Sequence, residues 1–351
     1  MKKYLLILLK SLFVLNTTQR VIAFSSQSSS SKNKVGDGPI LIVGATGGTG
    51  VRALQGLLDV GYKPSQMRLL TRNPNKLKPL IEKFGFQTCQ IDLDDCSSNE
   101  LKEALVDCVG CYIHSTCSDT TTLDTLEEAR ARTLAKAIKE SSPNCHVVYN
   151  SAAGEPEHGV KKIQQKQDVE KVFFKEFKGV PFTSLRANLF MEEFWKKYTR
   201  PAILNGKFPF SVPPDREIYL VSVRDMGKLA GTCIANEIEI GNVINVAGDV
   251  LSAQQMASAF TAAQETPCKH SQARIFGFLS RFISRDMYQQ IRFYRMSSET
   301  TDIVELATKF QGVLTDFPSF LKETEWENEE LTFDNFKNDA ETLLAVKSRK
   351  L

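Results

Sequence analysis

Ile40-Leu41-Ile42-Val43-Gly44-Ala45-Thr46-Gly47-Gly48-Thr49-Gly50 is the stretch from which the architecture of this chain can be read. Four apolar residues end on a glycine, and two more glycines follow at intervals of three. The pattern fits the strand, tight turn and helix start of a dinucleotide-binding βαβ unit. Gly44 lets the backbone turn sharply off the strand. Gly47 lets it approach a pyrophosphate with no side chain between, and Gly50 lets the new helix lie close to the sheet. The helix N-terminus offers N–H groups and a positive dipole end to phosphate. Gly44, Thr46, Gly47, Gly48, Thr49 and Gly50 are therefore the expected phosphate-binding residues. Residues 51–58 continue as an amphipathic helix with Leu54, Leu57 and Leu58 inward.

Strand and helix go on alternating downstream. Met67 to Leu70 reads as a second strand, followed by Thr71-Arg72-Asn73-Pro74-Asn75-Lys76. A site for NAD usually places an acid here for the ribose hydroxyls. This chain places Arg72, with Lys76 close behind. A guanidinium grips a 2′-phosphate in a bidentate way and stacks on adenine, so the expected cofactor is NADP. Residues 77–84 suit a short helix. Gln87 to Ile91 suits a strand ending in Asp92-Leu93, placed to meet the adenine edge. A short helix over 101–106 precedes a fourth strand, Val109 to Ile113. Its end, His114-Ser115-Thr116, is expected to pass the nicotinamide side, with Ser115 as a contact and His114 as an acid–base candidate. Asp124 to Glu140 has helical periodicity, and Val147-Val148-Tyr149 is the next strand. Alternation over residues 40–150 predicts an α/β fold with a Rossmann-like doubly wound parallel sheet.

Composition agrees with a globular protein: 351 residues, 42% hydrophobic and 24% charged. The net charge of +3 is local, because residues 1–23 contain Lys2, Lys3, Lys10, Arg20 and no acid; removing those four charges leaves −1. That balance does not ask for nucleic acid as a partner. The first residues read as a targeting segment: a basic start, a short apolar run broken by Lys10, and a small-residue cleavage candidate at Val21-Ile22-Ala23. Residues 24–34 are Ser-rich and basic, a transit-type composition. The Ala23-Phe24 join resembles the alanine–phenylalanine junction of two-part plastid presequences in algae with complex plastids. The expected destination is the plastid, with secretion as the alternative. No later segment is long and apolar enough to suggest a bilayer span. The chain has eight cysteines. Cys108-Val109-Gly110-Cys111 has metal-ligand spacing but no second pair at matching distance, so core cysteines are expected and no metal site.

The motifs resemble those of the NmrA-like branch of the atypical short-chain dehydrogenase/reductases. The likeness rests on Gly44 to Gly50, Thr71-Arg72-Asn73-Pro74 and Asp92-Leu93-Asp94-Asp95. It extends to Phe182-Thr183-Ser184-Leu185-Arg186-Ala187-Asn188-Leu189-Phe190-Met191-Glu192, Val221 to Gly227 and Gly241 to Met256. The resemblance implies either NADPH-dependent reduction of a small substrate or nucleotide binding in a non-catalytic regulator or assembly factor. Ordinary reductases of the superfamily use a Tyr four residues before a Lys. Here Lys166 occupies the Lys position, at the expected start of a helix over 168–177, and Lys162 stands where the Tyr would be. Ser151 matches the catalytic Ser or its neighbour. Lys166 and Ser151 are thus the catalytic candidates, Lys166 also as a ribose ligand. A carbonyl, an enone or a quinone is the expected acceptor, and a partner protein is the alternative.

The domain organisation expected is a presequence over 1–38, a nucleotide-binding domain over 39–265 and a small, mostly helical C-terminal lobe with tail over 266–351. Phe190, Met191, Phe194 and Trp195 should line or cover the substrate pocket. Asp225 and Ser252 are expected helix caps. Helices are expected over 274–282, 287–294 and 333–346, with a short closing helix at Phe317, Phe320 and Leu321 and an acidic linker over 326–330.

Overall fold

The computed structural model describes residues 38–46, 48–114, 126–155, 159–272, 282, 285–297 and 300–332. The presequence, Gly47, Ser115, Cys117, residues 274–281 and the helix expected over 333–346 lie outside the described residues. The strands are β1 (Ile40–Val43), β2 (Met67–Thr71), β3 (Gln87–Gln90), β4 (Gly110–Ile113), β5 (His146–Ala152), β6 (Phe182–Ala187), β7 (Leu189–Phe190), β8 (Lys207–Pro209), β9 (Glu217–Val221), β10 (Val243–Val246), β11 (Asp249–Ser252) and β12 (Lys269–Ser271). The helices are α1 (Gly48–Asp59), α2 (Lys78–Phe84), α3 (Ser98–Leu105), α4 (Glu127–Ser141), α5 (Lys161–Lys171), α6 (Arg200–Leu204), α7 (Val223–Asn236), α8 (Ala253–Gln264), α9 (Arg285–Met296), α10 (Ile303–Lys309) and α11 (Phe317–Glu323).

Seven strands form one sheet in the order β10-β6-β5-β4-β1-β2-β3, and every pairing in it is parallel. The expected Rossmann-like sheet is therefore present. Its strand order reverses at β1, which places the topological switch point between β1 and β4. β1 is buried on both faces, as a central parallel strand must be. Ile40 and Ile42 enter the core under α1 and α7; Leu41 and Val43 enter the core under α3, α4 and α5.

The α1–α7 crossing is unusually close, and glycines make it possible. A Cβ on Gly56 would lie 2.0 Å from the Arg224 carbonyl oxygen, and one on Gly227 would lie 2.0 Å from that of Ala53. The crossing is held at its edge by ions. Arg224 donates to Asp59 at 2.5 Å and to Glu323 of α11 at 3.1 Å, so the closing helix is tied to both.

Several boundaries differ from the sequence reading. α5 begins at Lys161, so Lys166 lies mid-helix rather than at its start. The run of Lys and Gln from 161 to 167 has high helix propensity and needs no cap at Asp168, which instead pairs with Lys171 at 2.6 Å. A single π turn, Val172–Glu176, ends the helix. Ser222, not Asp225, caps α7, accepting from the Arg224 N–H at 3.2 Å. Asp225 is fully buried, accepts from the Thr315 N–H at 2.6 Å and pairs with Lys228 at 2.8 Å. Ser252 does cap α8, in a capping box with Gln255. Trp326 belongs to no linker. It is fully buried and edge-on to Trp195 at 5.4 Å. Arg200 stacks 4.0 Å over Trp195 and donates to the carbonyls of Trp326 and Asn328 at 2.6 and 2.7 Å. Among the described residues no helix is long and apolar enough to cross a membrane.

Candidate functional site

The glycine turn has the geometry its sequence requires. Gly44 sits at φ 93°, a conformation that side chains disfavour. A Cβ on Gly50 would lie 2.1 Å from the Gly44 carbonyl oxygen, so the first turn of α1 is seated directly on the turn that feeds it. α1 opens at Gly48, with Thr46 half-buried just before it and Thr49 within its first turn. A helix start at the switch point is a position suited to an anion.

Arg72 and Lys76 are both exposed just past the carboxyl end of β2. Asn73 shapes this corner: its side chain accepts from the Asn75 N–H at 3.1 Å, and Lys76 lies within the single helical turn, Pro74–Leu77, that follows. Asp92 and Leu93 are half-buried beyond β3. Arg130 of α4 grips the adjacent Asp94 with two bonds of 2.7 and 2.5 Å, which hold its carboxyl below the usual range; the Arg72 cation adds a smaller effect. The loop after β3 is thereby anchored to α4 beside Arg72.

Lys166 and Ser151 do not meet each other directly. Lys166 donates to Glu127 Oε1 at 2.5 Å, and Tyr149 donates to the same oxygen at 3.1 Å. The ammonium also lies 5.4 Å from the Tyr149 ring centroid. One turn further along α5, Ser151 donates to Glu170 at 2.6 Å, Ser184 at 2.7 Å, and Arg186 through two bonds of 2.9 and 2.6 Å. The Ser151 hydroxyl thus points into the joint between β5, β6 and α5. Glu127, Tyr149 and Glu170 were not singled out from the sequence. Glu127-Glu128 reads as a surface acid pair, and Tyr149 as a strand core residue. Only the fold brings these residues against Lys166 and Ser151.

His114 is buried at the end of β4. Asn150 Nδ2 donates to its Nδ1 at 2.9 Å, which leaves the ring proton on Nε2. Burial holds its pKa down to about 3, with a further contribution from the Lys166 cation. It is a neutral hydrogen-bonding ring at physiological pH, not a titrating acid–base group.

A cavity of about 230 Å³ lies beyond the carboxyl end of β6. Leu189, Phe194, Phe208 and Phe210 form apolar wall, and Gln290 and Tyr294 of α9 close the other side. Of the four expected wall residues, Phe194 takes that place. Met191 and Trp195 are packed in the core. Val160, Ile163 and Phe293 form a small cluster against which Ala152, the last residue of β5, and Tyr294 both pack. α9 therefore lies over the strand end and helix start that carry Ser151 and Lys166.

The NmrA-like family model matches residues 36–320. Solved structures of similar fold include a triphenylmethane reductase from Citrobacter sp. in complex with NADP(H), at 18% identity and a TM-score of 0.65 over 81% of this chain and 99% of that one. An NADPH-dependent quinone oxidoreductase from Escherichia coli, in complex with NADPH, is 20% identical with a TM-score of 0.63 over 81% and 98%. The negative transcriptional regulator NmrA, in complex with NADP, is 16% identical with a TM-score of 0.65 over 85% and 100%. A comparison with curated proteins found no match. The glycine turn, the parallel sheet and the extent of the matched region lead to one assignment: the chain belongs to the NmrA-like family.

Proposed function

We propose that this chain binds NADP(H) and acts as an oxidoreductase on a small carbonyl, enone or quinone. The observation that carries this reading is the position of the aromatic pocket beyond the end of β6, on the side where open α/β sheets hold ligands. In this reading Gly44, Thr46 and Gly47 to Gly50 cradle the pyrophosphate. Arg72 and Lys76 hold the 2′-phosphate, Asp92 and Leu93 border the adenine, and Ser115 lies on the nicotinamide side. Lys166, fixed by Glu127, has N–H donors left for the ribose. The bound cofactor supplies a hydride. The solved neighbours that carry NADP(H) support the cofactor assignment.

Titration of the pure protein with NADPH and NADH tests the cofactor. NADPH should bind at least about tenfold more tightly, and Arg72→Ala should remove most of that preference. Equal affinity for the two would refute it. Oxidation of NADPH against a panel of aldehydes, enones and quinones tests the reaction.

A second reading is a nucleotide-binding regulator or assembly factor. Lys162 in place of the family Tyr favours it, as does the Lys166–Glu127 pair. No turnover on any acceptor, together with a partner protein captured only in the presence of NADPH, would establish that reading. We also propose a plastid destination, from the composition of residues 1–37; secretion of a fusion carrying residues 1–40 would refute it.

A further inference from the structure

The oxidoreductase reading leaves a chemical gap, because Lys162 stands where the superfamily places its proton-donating Tyr. A lysine ammonium at an exposed helix position does not replace a phenol inside a pocket. The pocket itself contains few groups able to do so. Glu193 is paired with Lys196 at 2.6 Å and, as a carboxylate, only accepts. Tyr198 is 70% exposed at the rim. Thr199 and Ser211 are aliphatic alcohols, too weakly acidic to lead a proton transfer. Tyr294 remains. It lines the cavity from α9 and packs on the Val160–Ile163–Phe293 cluster. Tyr294 thus packs on the cluster that holds Ile163, so α9 brings a phenol to the wall of the pocket beside the start of α5.

We propose that Tyr294 is a catalytic residue of this pocket, the proton donor to the carbonyl oxygen of an aromatic aldehyde or ketone. This inference rests on the oxidoreductase reading. The carbonyl carbon gains the hydride supplied by NADPH while the carbon–oxygen π bond breaks. The Tyr294 O–H bond breaks, its proton joins the new alkoxide oxygen, and water reprotonates the phenolate. One NADPH and one proton are consumed for each alcohol formed. Burial pushes the Tyr294 pKa up to about 12, with the Glu193 charge adding to it and a Gln290 hydrogen bond opposing it. Tyr294 is therefore protonated at neutral pH and loses its proton only to a strong base. An alkoxide is more basic than a phenolate, so that transfer runs downhill. Hydride addition to a quinone gives a resonance-stabilised quinol anion that, unlike an alkoxide, needs no proton donor to form, so a quinone gains little from Tyr294. The donor thus selects carbonyl compounds over quinones, and Phe194, Phe208 and Phe210 favour an aromatic one. Among the described residues, charged groups near Tyr294 include Glu193, with Lys196 behind it, and Arg216, which donates to the Tyr294 backbone carbonyl at 3.0 Å.

The test compares the full chain with Tyr294→Phe, using NADPH with benzaldehyde and with 1,4-benzoquinone. For benzaldehyde kcat should fall on the order of 100-fold while KM moves less than about threefold. Benzoquinone reduction should stay within about twofold, and NADPH affinity should be unchanged. Three results overturn the proposal: benzaldehyde turnover that survives the substitution, equal losses on both acceptors, or loss of NADPH binding. A wild-type protein that reduces benzoquinone and not benzaldehyde refutes the Tyr294 role alone. A wild-type protein that binds NADPH and reduces no acceptor refutes the oxidoreductase reading with it.

Discussion

Two buried carboxylates, Glu170 on α5 and Glu127 on α4 facing Lys166 of α5, serve different ends. Glu170 accepts from Ser151, Ser184 and twice from Arg186. Its oxygens are filled by partners from two strands, and the Arg186 fork fixes the geometry. Glu127 accepts from Lys166 and Tyr149 on one oxygen. An ammonium has three donors, and the Lys166 side chain is 16% exposed, so it can serve a ligand while Glu127 holds it. The comparison teaches how a buried acid can either seal a joint or aim a cation. Glu170 does the first and takes Ser151 with it; Glu127 does the second.

The largest expected effect breaks the sealed joint. Glu170→Ala removes the buried acceptor shared by Ser151, Ser184 and Arg186 and should cost about 3–5 kcal/mol in urea denaturation. A cost similar to that of Glu127→Ala, which removes one ammonium contact and one phenol contact rather than four bonds, would erase the distinction. Next comes Lys166→Ala. Loss of a charge-assisted hydrogen bond to the ribose is worth about 1.5–3 kcal/mol, so NADPH should bind roughly 10- to 100-fold more weakly by titration calorimetry.

Acid provides a third effect, smaller per pH unit. Burial holds the His114 pKa down to about 3 and that of His146 to about 4. In the unfolded chain each histidine titrates near 6.5. Between those limits the unfolded chain binds more protons, so stability rises with pH and is lost as pH falls from about 6.5 toward 4 and then 3. The slope is at most about 1.4 kcal/mol per pH unit for each histidine. Denaturation midpoints measured across that range would show it. In Lys166→Ala the His114 pKa should rise, visible by NMR, because a nearby cation is gone. Ser151→Ala should do least: about 1 kcal/mol of stability for one hydrogen bond, with NADPH affinity unchanged. A large loss of turnover without loss of stability would return Ser151 to the catalytic set.

Much of the nucleotide half was legible without coordinates. β1, its glycine turn and α1 are contiguous, and each glycine answers a local backbone demand. The same holds for β2 and the Arg72 corner, and for the capping box at Ser252. The sequence places the start of α5 at 168, whereas propensity and burial of Ile163 extend the helix back to Lys161. Trp326 was misread because the acids around it suggest a linker, although its own ring is core.

Local chemistry alone accounts for the parallel α/β order, the phosphate turn and the basic corner beyond β2, because period, propensity and turn conformation act over a few residues. The state of the α5 residues needed the folded chain. Lys166 meets Glu127 across 39 positions, Ser151 meets Glu170 across 19, and Gly56 meets Arg224 through the α1–α7 crossing. The phenol of Tyr294 reaches the pocket only because α9 folds back over the ends of β5 and β6. Such pairings depend on which surfaces pack together. Packing sums many weak contacts over the whole chain, so no short window of sequence carries it.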